Sequence, residues 1–164
     1  MRLGICTMGE STPKPVTVGE IMTEKLESIN ALNTAQEAAA KMAEKNVGSL
    51  AVLDDNGKAL GIVTERDLAR RVCAAGKSSN SVTVGQIMSS PVITVRSDHS
   101  IEEAADVMIE RKVRHLLVLG ESGRPAGIVT PTDLAAYIRE TGDIRTEKMD
   151  SAIMQLLREH RRYE

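Results

Sequence analysis

"GIVTERD", residues 61–67, closes an apolar run on a glycine, a threonine and an aspartate, and "GIVTPTD", residues 127–133, does the same 66 positions later. The offset is not confined to the motif. A shift of 66 aligns Val18 with Val84 and Leu68 with Leu134 without a gap, giving 20 identities over 51 positions. "VGEIMT" falls on "VGQIMS", and "EAAAKMAEKNVGSLAVL" on "EAADVMIERKVRHLLVL". Self-similarity at a fixed period points to units that bury their apolar faces against one another. Two copies point to a pseudo-symmetric pair, since a solenoid needs more.

Each copy spells out the same order of elements. Ala35, Ala38, Ala39, Met42 and Ala43 keep helical spacing, as do Ile101, Ala104, Ala105, Met108 and Ile109, with Thr34 and Ser100 placed as N-caps. Short apolar strands follow at 50–53 and 116–119, with "DDNG" at 54–57 and "ESG" at 121–123 as hairpin turns. Return strands lie at 60–63 and 126–129, and a second helix starts near Glu65 or Pro131. Strands rich in β-branched residues also fit 26–29 and 92–95. Each copy therefore reads β-α-β-β-α after a short helical turn, an α/β (α+β) architecture. The expected division is a tail at 1–15, repeat one at 16–75, a polar linker "GKSSNS" at 76–81, repeat two at 82–140 and a C-terminal segment at 141–164. Met149, Ile153, Leu156, Leu157 and His160 predict an amphipathic helix in that last segment, suited to cover the module's own core or dock a second chain.

The totals bound the function. The chain has 164 residues, 41% hydrophobic and 27% charged, with a net charge of −2, so no strong polyanion-binding field is expected. Two Tyr, no Phe and no Trp leave almost nothing to stack single-stranded nucleic acid on. Cys6 and Cys73 form no C-x-x-C pair, which fits a reducing cytoplasm. No apolar run approaches the roughly 20 residues of a membrane span. The expectation is a cytoplasmic protein that engages neither membrane nor nucleic acid.

The β-α-β-β-α repeat, the "VGEIMT"/"VGQIMS" openings, "VRHLLVL" and the doubled G-h-h-T-x-x-D together resemble a tandem pair of CBS (cystathionine-β-synthase-type) domains, a Bateman module, over about residues 16–140. The resemblance implies two repeats related by a pseudo-twofold axis, packed sheet to sheet. Clefts between them take an adenosyl ligand: AMP, ADP, ATP or S-adenosylmethionine. It also implies a flat homodimer that signals to an effector protein.

The motif has a purely structural reading as well. Thr-x-x-Asp at a strand-to-helix junction resembles a capping box, and Pro131 suits the first helical position. The functional reading rests on three properties. A helix N-terminus offers N–H groups and a positive dipole end to phosphate. A threonine hydroxyl adds a phosphate hydrogen bond, and an ionised carboxylate accepts from a ribose diol. Capping and binding are compatible, because the cap fixes the geometry a ligand would use. By the resemblance, Ile62, Thr64 and Asp67 match the first nucleotide position and Ile128, Thr130 and Asp133 the second. Pro91 and Ile93 would face Asp67, and Thr23 and Glu27 would face Asp133. Arg114 and His115 replace Gly48 and Ser49 of copy one, and the resemblance gives such basic residues a phosphate to reach. The cleft at Thr130 and Asp133 is thus expected to favour phosphorylated ligands, and that at Thr64 and Asp67 to accept S-adenosylmethionine.

Other chemistry is sparse. His99, His115 and His160 lack metal-ligand spacing, no nucleophile and base pair up, and no Walker-type loop occurs. Arg70 and Arg71 suit a solvated helix face or a phosphate rim. Cys73 reads as a small buried residue, and Met22 and Met88 as core plugs. The sequence therefore describes a regulatory module that binds an adenosyl ligand, with no required cofactor and no catalytic role. A structural dimerisation module with no nucleotide ligand is the alternative.

Overall fold

The computed structural model describes residues 14–141 and, further on, Ser151, Met154, Gln155 and Arg158. Met149, Ile153, Leu156, Leu157 and His160, on which the C-terminal helix was expected, lie outside the described residues. The elements are α1 (Val18–Ile21), β1 (Ser28–Asn30), α2 (Ala35–Lys45), β2 (Ser49–Leu53), β3 (Ala59–Thr64), α3 (Glu65–Leu68), α4 (Val84–Ile87), β4 (Thr94–Arg96), α5 (Ile101–Arg111), β5 (Leu116–Leu119), β6 (Pro125–Val129) and α6 (Pro131–Thr141). A π-helical turn, Ala69–Cys73, continues α3.

Two three-stranded sheets result, β1-β2-β3 and β4-β5-β6. In each, the first strand runs parallel to the second and the second antiparallel to the third. The pairing is the same in both once shifted by 66: Ser28 lies beside Ala51 and Thr94 beside Leu117, with matching bulges at Val52/Leu53 and Val118/Leu119. The hairpins, the return strands and the helices α2 and α5 form where the sequence predicts them. β1 and β4 begin two residues later than expected, although the Glu27 and Ile93 carbonyls still accept from Ala51 and Leu117, and the chain further ahead pairs with the opposite repeat. Thr23 pairs with Ile128 through N–H to carbonyl bonds of 2.9 and 3.1 Å, and Ser89 pairs with Ile62 through bonds of 2.8 and 3.1 Å.

The long helices start as their caps dictate. Thr34 and Ser100 each accept from the N–H three residues on, while Glu37 and Glu103 accept from the cap N–H at 2.7 and 2.8 Å. α5 buries Ile101, Ala104, Ala105 and Met108, whereas α2 buries only Ala35, Ala38 and Met42, leaving Ala39 and Ala43 exposed. Cys73, expected inside, is exposed, and Val72 is buried instead. The π-helical turn changes the angular step per residue there, so the position facing the core shifts.

The two cores do not follow the sequence repeats. Val18 of α1 belongs to the cluster built from repeat two's Val95, Ile101, Met108, Leu116 and Leu134. Val82, Val84 and Ile87 belong to the cluster of repeat one's Ala38, Met42, Leu50 and Val63. Backbone bonds fix the exchange: Val18 N–H to His99 carbonyl at 2.8 Å, and Val84 N–H to Asn33 carbonyl at 2.8 Å. Each opening turn thus completes the other repeat's core. Met22 and Met88 pack partly buried against those same exchanged cores.

Candidate functional site

The Thr-x-x-Asp motifs sit where β3 enters α3 and where β6 enters α6. In repeat one, Asp67 Oδ2 accepts from Thr64 N–H at 3.0 Å and Thr64 Oγ1 at 2.7 Å, and Asp67 N–H donates to Thr64 Oγ1 at 3.3 Å. In repeat two, Asp133 Oδ2 accepts from Thr130 N–H at 2.8 Å and Thr130 Oγ1 at 2.6 Å. The capping box is complete at Thr64, and at Thr130 the acid likewise closes on the N–H and hydroxyl of the threonine. Each closure occupies one carboxylate oxygen and leaves the other to a different neighbour. Asp67 Oδ1 stands 3.5 Å from Arg71 Nε, and Asp133 Oδ1 accepts from Thr23 Oγ1 at 3.4 Å. Asp67 is 8% exposed, the single buried polar or charged residue among those described.

A cavity of about 870 Å³ opens in front of Asp67, between the repeats. Repeat one contributes Ile62, Thr64 and Asp67, and repeat two contributes Pro91, Ile93, Arg114 and His115. All seven were singled out from the sequence, but their grouping differs from the expectation. Arg114 and His115 stand across from Thr64 and Asp67, so the cationic cleft is the one expected to accept S-adenosylmethionine. The reason lies in the sheet. Leu117 N–H bonds to Ile93 carbonyl at 3.0 Å, so the start of β5 travels with the wall formed by Pro91 and Ile93. The motif at Thr64 and Asp67 consequently faces both the entry segment and the second-strand start of the opposite repeat.

The second set comes together in part. Thr23 joins Ile128 by backbone and Asp133 by side chain, beside Thr130. Glu27 does not join them: its carboxylate lies 3.7 Å from Lys41 on α2 of its own repeat, and its carbonyl accepts from Ala51. The charged end is held by that lysine, and only backbone serves the sheet.

Sequence reading missed Arg66, Lys112 and Ser89, which also line the cavity, and left Arg70 and Arg71 ambiguous. A signal for the arginines was present, since positions three and four after Asp67 share its helix face. Arg71 Nη1 also donates to the carbonyls of Ile87 and Met88, tying this face to the exchanged turn α4. Burial pushes the His115 imidazole down to about 4, helped by the charges of Arg114 and Arg66 and opposed by Asp67 and Asp133. Burial, with the charge of Arg66, also lowers Arg114. Among the described residues no group of three or more His, Cys, Asp or Glu is placed to hold a metal ion, and no helix is long and apolar enough to cross a membrane.

Comparison with known proteins agrees with this geometry. The CBS domain family profile matches residues 18–74 and 84–140. The chain belongs to the CBS domain family. It is 36% identical over 121 residues to an uncharacterized protein of Methanopyrus kandleri, covering 74% of this chain and 62% of the length of that one. Among solved structures it resembles a CBS domain pair in complex with 5'-methylthioadenosine and S-adenosyl-L-methionine (TM-score 0.68, 25% identity, 77% of this chain and 98% of the other). It also resembles CBSX2 in complex with AMP (TM-score 0.61, 28% identity, 76% of this chain and 96% of the other). The CBS pair is thus a tandem α/β module with its two sheets and exchanged turns as described.

Proposed function

We propose that this CBS pair is a regulatory module that binds an adenosyl ligand between its repeats and passes occupancy to a partner protein, without catalysing a reaction. The observation that carries the reading is the cavity in front of Asp67, walled by both repeats and holding a carboxylate whose second oxygen is not used by the cap. Its volume suits a small ligand. The carboxylate can accept from a ribose diol, and cations of both repeats line the same cavity for a phosphate. The adenosyl ligands carried by two similar CBS structures support the same class.

Signalling follows from the two-sided wall. A ligand that touches both repeats favours whichever packing of the pair it fits, and a partner that reads that packing reads occupancy. A cytoplasmic homodimer acting on an effector is the assembly this reading takes from the family.

Calorimetry with adenosine, AMP and S-adenosylmethionine tests the proposal, alongside melting. At 100-fold over its Kd a ligand should add about 2.7 kcal/mol of stability. Asp67→Asn should weaken adenosine binding by about 1.5–3 kcal/mol, since adenosine retains the ribose diol that the charged acceptor would hold. Absence of a melting shift with any of the three at millimolar concentration would refute the reading. Normal adenosine affinity in Asp67→Asn would reduce the carboxylate to a cap.

A further inference from the structure

Five cationic side chains, Arg66, Arg70, Arg71, Lys112 and Arg114, line the cavity at Thr64 and Asp67, against two acids, Glu65 and Asp67. The whole chain carries a net charge of −2, so this density is local. It is also lower at the positions of the pseudo-equivalent cleft, where only those related to Gly48 and Pro91, Arg114 and Lys25, are cationic. The positions related by 66 to the five cations themselves are Thr132, Ala136, Tyr137, Asn46 and Gly48, none of them charged. A second observation concerns Lys112. It ends α5 in the left-handed region at φ 54, where α2 uses Asn46 at φ 53. Asparagine accepts that conformation readily and lysine does not, so repeat two places a cation at the cavity rim against its local conformational preference. A third is the proximity of like charges, since Arg66 and Arg114 come from opposite repeats and repel across the cleft.

We propose that the cleft at Thr64 and Asp67 is a polyphosphate site, one per chain, which takes a nucleoside di- or triphosphate in preference to a monophosphate and rejects S-adenosylmethionine. The inference rests on the reading of this cleft as a nucleoside site and specifies its ligand. Each further phosphoryl group adds negative charge and acceptor oxygens to a cavity whose cations come from both repeats. S-adenosylmethionine places a sulfonium cation where a nucleotide carries its first phosphate, so it brings positive charge to a positive wall. Arg71 is already engaged by the carbonyls of Ile87 and Met88 and by Asp67. Arg66, Arg70, Lys112 and Arg114 line the same cavity and are the residues assigned to the tail. The polyphosphate also screens Arg66 from Arg114, so occupancy would draw the repeats together where their like charges now oppose one another.

The test is calorimetry of adenosine, AMP, ADP, ATP, S-adenosylmethionine and inorganic tripolyphosphate, free of divalent cations and at two salt concentrations. Affinity should rise from AMP to ATP by about tenfold to a hundredfold, the worth of one added hydrogen bond to a charged group. ATP should bind once per chain and lose affinity with salt more steeply than AMP does. Lys112→Asn and Arg66→Gln should each cut the ATP advantage and leave adenosine affinity unchanged, with melting curves confirming that both variants fold. Equal affinities for AMP and ATP, tighter binding of S-adenosylmethionine, or two ATP per chain would overturn the inference while leaving an adenosyl site standing. Tripolyphosphate binding as tightly as ATP, with no affinity for adenosine or AMP, would instead uphold the polyphosphate site and overturn the adenosyl reading.

Discussion

A methyl group added at Gly61 would stand 2.7 Å from the Ser89 carbonyl and 2.8 Å from Met88 Sδ; at Gly127 it would meet the Thr23 carbonyl and Met22 Sδ at the same two distances. The glycine that opens each G-h-h-T-x-x-D motif is therefore set by the opposite repeat, whose entry segment passes directly over it. Only by that approach can Ile62 pair with Ser89 and the cavity acquire its second wall. Gly61→Ala should lower stability by about 1–3 kcal/mol, the usual cost of forcing extra volume into a packed contact. Gly120→Ala is the control, because its added carbon meets Ala126 Cβ at an ordinary 3.4 Å and should change stability by no more than about 0.5 kcal/mol. Urea denaturation of the two variants compares them, and equal losses would mean that close approach is not what the glycine provides. The same scale explains why capping and the proposed binding role are compatible in one aspartate. Asp67 has two oxygens, and the cap uses one.

The helices were legible in the sequence because their starts are written locally. Thr34 with Glu37, and Ser100 with Glu103, announce both the cap and the acid that completes it. Their ends are less explicit, since Asn46 and Lys112 both adopt the left-handed conformation but only asparagine advertises it. The start of β1 was not legible either, because residues before Ser28 could as well have extended that strand as paired with the other repeat. Periodicity reports which face of an element is apolar and is silent about which partner covers it. At α5 the mismatch between residue and conformation has a measurable size. Lys112→Asn, copying the residue of α2, should raise stability by about 0.5–1 kcal/mol as the left-handed penalty is relieved. Asn46→Lys should cost a similar amount in repeat one. Chemical denaturation of the pair checks this, and a Lys112→Asn protein no more stable than the parent would show that lysine bears no strain there.

Across the whole molecule, the 66-residue offset predicted two alike units, and two alike units form, yet neither core closes with its own opening turn. Val18 serves repeat two, while Val84 and Ile87 serve repeat one. Sequence identity between the copies concealed that exchange, since "VGEIMT" and "VGQIMS" suit either core equally. The exchange makes the interface between repeats part of global stability, and His115 sits in that interface with charges from both sides upon it. Arg114 and Arg66 disfavour its imidazolium, Asp67 and Asp133 favour it, and burial decides in favour of the neutral ring, whose pKa falls from 6.5 to about 4. The sign follows from proton counting. Between those two values the unfolded chain binds the proton and the folded protein does not, so stability is complete above about pH 6.5 and declines as the pH falls towards 4. For this one group the decline between pH 7 and pH 5 is about 2 kcal/mol. Denaturation of the parent and of His115→Gln across pH 7 to 5 isolates the contribution, because the carboxylates are common to both proteins. The parent should lose stability over that interval and the variant should lose about 2 kcal/mol less; parallel curves would mean that His115 is protonated in the fold. A phosphate tail in the cavity adds negative charge beside the ring and favours its protonation. Nucleotide binding at pH 5 to 6 should therefore take up a proton in the parent and none at this position in His115→Gln, which calorimetry in buffers of different ionisation enthalpy measures directly.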